Sequence, residues 1–169
     1  MFFKESNLDS KDRIDFVSIV TPNHIHFDPA LKALENDFPV IIDKPMTYDT
    51  EQAELLVKKV NETSLPFAVT HTYTGYPMVK EAKSIISSGK IGKLRKVAVE
   101  YPQGWLTSSL EKTDNKQASW RTDPNKSGKA GSMGDIGTHA ANMVEYVTSK
   151  KIIKLYSKVN TVVEGRLLE

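Results

Sequence analysis

The amino-terminal part of the chain alternates short apolar runs with longer amphipathic stretches. The runs at 14–20, 38–42 and 65–70 are nearly continuous and rich in β-branched residues, which predicts strands covered on both faces of a parallel sheet. Between the runs, Asp28-Pro29 and Asp49 are residue types that begin helices, and apolar positions recur at helical spacing after each. This order of strands and helices with short connections predicts a doubly wound parallel α/β unit.

Polar residues follow each predicted strand, at Thr21-Pro22-Asn23, Asp43-Lys44-Pro45 and His71-Thr72-Tyr73. Ligands of open parallel sheets bind beyond the carboxyl ends of the strands, so these segments predict a ligand site. Lys44 beside apolar walls can polarise a substrate oxygen or carry a proton. Taken alone, Lys44 is more typical of a turn lysine that reaches to water, and the two other polar strand ends reverse that preference in favour of the functional interpretation.

The second part of the chain has a different pattern. A helix is predicted from Pro77 to about Ser88, and alternating apolar positions at 94–101 and 152–163 predict two strands of a half-exposed sheet. The segment 102–130 is rich in Gly, Ser, Thr, Asn and Lys, which predicts a long loop, and it holds both tryptophans. These rings pack the loop or stack on a flat ligand. The change of pattern predicts a domain boundary before Pro77.

A helix with two stripes is predicted near the end of that second part, from Gly131 to Val147. The core-facing stripe is Ile136, Ala140, Met143, Val144 and Val147, and the polar stripe is Asp135, His139, Asn142 and Tyr146. A carboxylate and an imidazole on successive turns, beside several glycines, favour a catalytic pair. The alternative is an acid that interacts with the helix dipole and a surface histidine without function.

Composition narrows the classes of function. The 169 residues carry 23 basic and 21 acidic side chains, a net charge of +2, which is too even to predict a nucleic-acid or membrane partner. Cysteines are absent, and no apolar run approaches the roughly 20 residues of a membrane span. The polar start does not resemble a signal peptide, so a cytoplasmic location is expected. His24, His26 and His71 suggest a metal, but no acid cluster accompanies them, and no metal site is predicted.

Taken together, these motifs resemble the glucose–fructose oxidoreductase / inositol dehydrogenase family of NAD(P)-dependent sugar oxidoreductases. The motifs that carry the resemblance occur in the family's order and spacing from about residue 14 onward. They are Ile19-Val20-Thr21-Pro22-Asn23 followed by His26, Asp43-Lys44-Pro45, Gly89-Lys90-Ile91-Gly92, Trp120-Arg121 and Gly134-Asp135-Ile136-Gly137-Thr138-His139.

The resemblance implies an α/β fold, with the carboxyl-terminal half of a Rossmann-type parallel sheet followed by a truncated antiparallel substrate-domain sheet. It places a partial dinucleotide-binding domain at residues 1–75 and a partial substrate and oligomerisation domain at 76–169. It also implies NAD or NADP as cofactor and a sugar or polyol as substrate. The catalytic groups that it implies are Lys44, Asp135 and His139. The cofactor-binding residues that it implies are Thr21, Pro22, Asn23, His26, Asp43, Lys44, Trp120 and Arg121.

The sequence departs from the family pattern at two places, and the departures change what we expect of cofactor binding and of assembly. Asp43 stands where the family usually has glutamate, which shortens the reach by one methylene and is expected to adjust cofactor contacts. The sequence contains no G-x-G-x-x-G, so we interpret it as a middle piece of the family fold with poor cofactor affinity by itself. Without the strands that precede it in the family fold, the 14–20 strand has an uncovered edge. Such an edge can pair with a second chain, so a homo-oligomer is predicted. Two alternatives stay open, a non-catalytic sugar-binding or scaffold remnant and a metal-dependent hydrolase.

Overall fold

The predicted parallel sheet is present in the computed structural model, which describes residues 8–9, 11–128 and 131–160. Strands β1 (Val17–Ile19), β2 (Val40–Ile42) and β3 (Phe67–Val69) pair in parallel in the order β1-β2-β3. Ile19 lies beside Ile42, and Ile42 lies beside Val69. The α/β class is confirmed, and each strand is shorter than the apolar run that predicted it.

The chain divides into two units. The first unit is Met1–Thr70 with Asn125–Lys129, and the second unit is His71–Pro124 with Ala130–Glu169. The first unit contains the sheet and the helices α1 (Phe27–Glu35) and α2 (Thr50–Thr63), which pack against each other.

One apolar core joins the sheet to these helices. Its buried members are Ile19, Ala30, Ala33, Leu34, Phe38, Val40, Ile42 and Leu56. Burying a side chain such as leucine or phenylalanine contributes about 1.5–3 kcal/mol, so this cluster is the main source of stability in the first unit. It also fixes the positions at which β1 and β2 end, and therefore where the polar segments after them begin.

The opposite face of the sheet differs from the prediction. Ser18, Ile41 and Ala68 are in register on that face, and Ser18 and Ala68 are exposed. The prediction that the strands are covered on both faces is therefore wrong for the described residues. The physical reason is that α1 and α2 both contribute to the same core cluster, which lies on the other side of these three strands.

The helix starts agree with the sequence at α2 and differ at α1. Asp49 caps α2, because its Oδ1 accepts the backbone N–H of Gln52 at 2.8 Å, as predicted. In contrast, α1 follows a 3₁₀ turn at Asn23–Ile25 and begins at Phe27, so Asp28 lies in its first turn instead of at its cap. That carboxylate still interacts favourably with the helix dipole.

The second unit is mainly helical. Its 3₁₀ turn at Thr72–Gly75 packs on α3 (Pro77–Ser87) and on the last helix, and α3 also packs on that helix. The elements that follow α3 along the chain are a 3₁₀ turn at Leu110–Lys112, α4 (Lys116–Arg121), α5 (Pro124–Ser127), a π turn at Met133–Gly137 and α6 (Thr138–Thr148). The prediction of one long loop over 102–130 is wrong in part, because α4 and α5 lie within it. Within the described ranges, no helix is long and apolar enough to cross a membrane.

The two strands predicted for the second unit are not formed. Residues 94–101 and 151–160 have no assigned strand, and the part of the prediction at 161–163 lies outside the described residues. A strand requires a hydrogen-bonded neighbour, and among the described residues β1, β2 and β3 form the sheet. The apolar side chains of these segments are accordingly exposed, Ile153 at 88% and Leu155 at 81%. The alternating pattern indicates which side chains of a segment would share one face, but it does not indicate whether a partner strand is present.

Candidate active site

The segment after β1 carries the first of the predicted site residues. Thr21 is exposed, and its hydroxyl donates to the carbonyl of Ile25 at 3.4 Å. Pro22 precedes the 3₁₀ turn and accepts the N–H of Ile25 at 3.0 Å. Asn23 is buried, and its side-chain amide donates to the carbonyl of Ser127 at 3.4 Å. This turn is therefore fixed on both sides by hydrogen bonds within the first unit.

His26 is fully buried at the start of α1 and joins two of the predicted segments. Its Nε2 lies 2.7 Å from the carbonyl oxygen of Thr21, and its Nδ1 lies 2.8 Å from the carbonyl oxygen of Pro45. A neutral ring can donate to one of these oxygens, and a doubly protonated ring can donate to both. The imidazole thus fixes the turn after β1 against the turn after β2. Its predicted role in cofactor binding stays a prediction.

The segment after β2 is tied to the end of β3. Oδ1 of Asp43 accepts the hydroxyl of Thr70 at 2.8 Å and the backbone N–H of Lys44 at 2.9 Å. Lys44 is half-buried, and the peptide bond between Lys44 and Pro45 is cis. The carboxylate of Asp43 therefore organises the backbone that presents the lysine.

A second group of predicted residues comes together in the second unit. Nε of Arg121, in the last turn of α4, donates to Oδ2 of Asp135 at 3.3 Å, and the side chains are 26% and 24% exposed. Asp135 lies in the π turn, where Gly137 allows Met133 to pack closely, because a Cβ at Gly137 would lie 2.6 Å from Cε of Met133. The sequence predicted Arg121 and Asp135 separately, and the structure joins them as an ion pair.

The guanidinium of Arg121 has aromatic and amide partners as well. Its Cζ lies 4.2 Å from the ring centre of Trp120 and 5.9 Å from that of Trp105. The side-chain carbonyl of Gln117 accepts hydrogen bonds from Nη1 of Arg121 and, at 3.2 Å, from Nε1 of Trp120. Stacking and hydrogen bonds together fix the plane of the guanidinium, so that it faces Asp135 with a defined edge.

His139, in the first turn of α6, contacts aromatic rings of the second unit. The ring of Tyr73 lies edge-on to it, with centroids 4.6 Å apart and an interplanar angle of 80°. The predicted stripe places Asp135 and His139 on one helix face. In the structure the carboxylate pairs with Arg121, and the imidazole lies edge-on to Tyr73. The π turn that contains Asp135 departs from the regular α-helical spacing on which the stripe was based.

Tyr73 is the main residue that the sequence did not assign to the site. Its hydroxyl is hydrogen-bonded to that of Tyr101, and this bond, together with desolvation and the nearby Tyr101, Tyr76 and Asp135, raises the pKa of Tyr73 to about 12. Its position in the polar segment His71-Thr72-Tyr73, soon after β3 ends at Val69, was a usable signal, since that segment was already predicted to face a ligand. For Gln117 the usable signal was its spacing, because it lies three residues before Trp120, about one helical turn away. Tyr101 gave no signal beyond ending an apolar run.

The two groups lie in different units. Thr21, Pro22, Asn23, His26, Asp43 and Lys44 belong to the first unit, and Trp120, Arg121, Asp135 and His139 belong to the second. Among the residues that the structure describes, no three histidine, aspartate or glutamate side chains are grouped so as to hold a metal ion. The polar groups that these residues offer are hydroxyl, amide, carboxylate, ammonium, imidazole and guanidinium groups.

Comparison with known proteins identifies the family. Residues 79–168 match the GFO/IDH/MocA C-terminal domain, and residues 3–71 match the oxidoreductase family with an NAD-binding Rossmann fold. The chain belongs to the GFO/IDH/MocA family. This confirms the resemblance stated from the motifs, and it confirms that the parallel sheet of the first unit is part of a Rossmann-type fold.

Relatives within the GFO/IDH/MocA family include enzymes of sugars and cyclitols. Levoglucosan dehydrogenase of Pseudarthrobacter phenanthrenivorans is 30% identical over 95% of this chain and 40% of its own length. An inositol dehydrogenase homolog from Azotobacter vinelandii, crystallised with NAD⁺, is 31% identical with a TM-score of 0.81, over 87% of this chain and 37% of that one. An oxidoreductase from Sinorhizobium meliloti is 38% identical with a TM-score of 0.79, over 99% and 41%. The chain therefore spans about two fifths of these relatives.

Proposed function

We propose that this GFO/IDH/MocA protein transfers a hydride between NAD or NADP and a secondary alcohol of a sugar, a cyclitol or a derivative of these. The observation that carries the proposal is the family match, since both domain models of an NAD-binding oxidoreductase fall on this one chain. Relatives that act on levoglucosan and scyllo-inositol support this substrate class, because both compounds carry ring secondary alcohols.

The residues of the first unit fit the nicotinamide-ribose part of such a cofactor. Thr21 offers an exposed hydroxyl after β1, and Asp43 and Lys44 offer a carboxylate and an ammonium after β2, which are groups that bind ribose hydroxyls and phosphate. We assign Thr21, Pro22, Asn23, His26, Asp43 and Lys44 to this side. The sequence contains no G-x-G-x-x-G to hold the diphosphate. Nicotinamide, when bound, supplies the hydride acceptor.

Proton transfer is assigned to the second unit. Oxidation of a secondary alcohol removes a hydride from carbon and a proton from oxygen, so a base must accept that proton as the carbonyl forms. In our proposal His139 is this base, because its imidazole is the group suited to proton transfer near neutral pH. Asp135 positions a substrate hydroxyl or orients the imidazole.

Lys44 has an electrostatic role in this proposal. As the proton leaves, negative charge builds on the substrate oxygen, and an ammonium group stabilises that developing charge. The half-buried position of Lys44 favours this role, since a charge acts more strongly where water is partly excluded. The backbone of Lys44 is held by Asp43, which limits the freedom of its side chain at the moment of reaction.

Trp120 and Arg121 are assigned to closing over the cofactor, with the stacked guanidinium presenting a planar cation to it.

We further propose domains at residues 1–75 and 76–169, a cytoplasmic location and a homo-oligomer. The support for an oligomer is that β1 lies at one edge of the described sheet, since an open edge can pair with a second chain. Light scattering tests this, and a monodisperse monomer would contradict it.

Turnover tests the proposed function. The full-length protein is incubated with NAD or NADP and a panel of polyols that includes myo-inositol, levoglucosan and several aldoses, and the absorbance of reduced nicotinamide is followed. We expect turnover with at least one cyclic polyol. A Lys44→Met variant keeps the length of the side chain without its charge and is expected to lose about 10²- to 10³-fold in kcat. Absence of turnover across the panel, together with no binding of NADH or NADPH, would overturn the proposal.

A further inference from the structure

The imidazole of His139 is bordered by three other rings in the second unit. Tyr73 contacts it edge-on at 4.6 Å between centroids, His71 lies at 6.2 Å with an interplanar angle of 85°, and Tyr101 lies at 6.4 Å with an angle of 52°. Edge-to-face contacts depend on ring orientation, so the edge-on contacts of Tyr73 and His71 restrict rotation of the imidazole about its side-chain bonds. Tyr73 makes the shortest of these contacts.

Tyr73 is itself held in place. Its ring lies edge-on to Tyr101 at 5.5 Å and to Tyr76 at 5.9 Å, and its hydroxyl is hydrogen-bonded to that of Tyr101. It lies on the turn Thr72–Gly75, which packs against α6, the helix that carries His139. The phenol of Tyr73 is protonated at neutral pH like that of an ordinary tyrosine, and the hydrogen bond with Tyr101 raises its pKa further. The phenol is therefore unsuited to accept a proton in that range, and its ring is the part that contacts His139.

We propose that Tyr73 is a positioning residue, whose ring, braced by Tyr101, holds the imidazole of His139 in the orientation that proton transfer requires. The inference rests on the proposed function, and it gives a role to a residue that the sequence placed in a predicted ligand-site segment without assigning it one. General acid–base catalysis is sensitive to geometry, because the base must lie within hydrogen-bond reach of the proton that it accepts. A ring that rotates freely spends only part of its time in that geometry.

Three variants of the full-length protein test this proposal. Tyr73→Leu removes the ring, Tyr73→Phe keeps the ring without its hydroxyl, and Tyr156→Leu is the matched control, since Tyr156 lies in the same unit and its side chain is 90% exposed. We expect Tyr73→Leu to lower kcat about 10-fold with KM and NADH affinity nearly unchanged, and Tyr73→Phe and Tyr156→Leu to stay within about 3-fold. Thermal unfolding of each variant shows whether it folds.

A second measurement does not depend on turnover. Diethyl pyrocarbonate modifies accessible neutral imidazoles, and peptide mass spectrometry separates the four histidines of the chain. We expect Tyr73→Leu to speed modification of His139 several-fold and to leave His24 unchanged. Unaltered kcat and unaltered modification of His139 in Tyr73→Leu would overturn the proposal. Equal losses of kcat, NADH affinity and thermal stability would also overturn it, because they indicate a merely structural role. If the wild type has no turnover, the proposed function fails, and the modification rates still decide the position of Tyr73.

Discussion

Replacing His139 by glutamine is expected to lower kcat for alcohol oxidation by about 10²- to 10⁴-fold, which is the range that a general base contributes. Glutamine keeps a polar side chain of similar size but cannot accept a proton near neutral pH. The wild-type rate of oxidation should rise with pH as the base loses its proton, and this dependence should disappear in His139→Gln. Binding of NADH is expected to stay close to that of the wild type, since the substitution removes a group that acts on the substrate.

The matched control for this experiment is the same substitution at His24, which lies in the first unit on the turn Asn23–Ile25. His24→Gln is expected to keep kcat within about 3-fold. Steady-state kinetics of both variants across pH is the measurement. A His139→Gln variant with wild-type turnover and an unchanged pH profile would show that another group accepts the proton, and the assignment of His139 would then be wrong.

Replacing His26 by leucine is expected to lower the free energy of unfolding by about 1–3 kcal/mol, because the buried imidazole donates to at least one of two carbonyl groups, and a carbonyl left without its donor costs about that much. The imidazole is fully buried between the carbonyl groups of Thr21 and Pro45, at 2.7 and 2.8 Å. Leucine has a comparable volume but no donor. The effect is therefore that of lost hydrogen bonds with little contribution from a cavity.

Urea unfolding measures this loss, and Thr21→Val is its control. That substitution removes only the exposed hydroxyl of Thr21, which makes a 3.4 Å bond, and it retains the carbonyl that His26 contacts. We expect a change within about 0.5 kcal/mol for the control. A His26→Leu variant that loses less than about 1 kcal/mol would indicate that water satisfies both carbonyl groups, and that His26 does not join the two turns.

The parts of the fold that sequence could predict are those determined by local pattern. The β-branched runs placed β1, β2 and β3, and Asp49 marked the start of α2 because its carboxylate accepts an N–H three residues away. Thr21-Pro22-Asn23 and Asp43-Lys44-Pro45 also follow β1 and β2 along the chain, as predicted. Each of these features depends on neighbours that are close in sequence.

The features that sequence could not predict depend on partners distant in the chain. Residues 94–101 have the alternation of a strand, but pairing depends on a neighbouring strand that the pattern does not contain. The contacts of Tyr101 with Tyr73, and of Arg121 with Asp135, join segments separated by 28 and 14 residues. The π turn at Met133–Gly137 departs from the regular α-helical spacing on which the predicted stripe was based. Tertiary packing decides all three.

Transfer of a labelled hydride shows whether the protein moves a hydride from a secondary alcohol to a nicotinamide cofactor. The full-length protein is given the best polyol of the panel, deuterated at the carbon of the reacting secondary alcohol, and the reduced cofactor is isolated and analysed by mass spectrometry. We expect the NADH or NADPH formed to carry one deuterium at C4 of the nicotinamide, and His139→Gln to form the same labelled product far more slowly. Formation of an unlabelled reduced cofactor, or consumption of the polyol without any reduced cofactor, would contradict the proposed function.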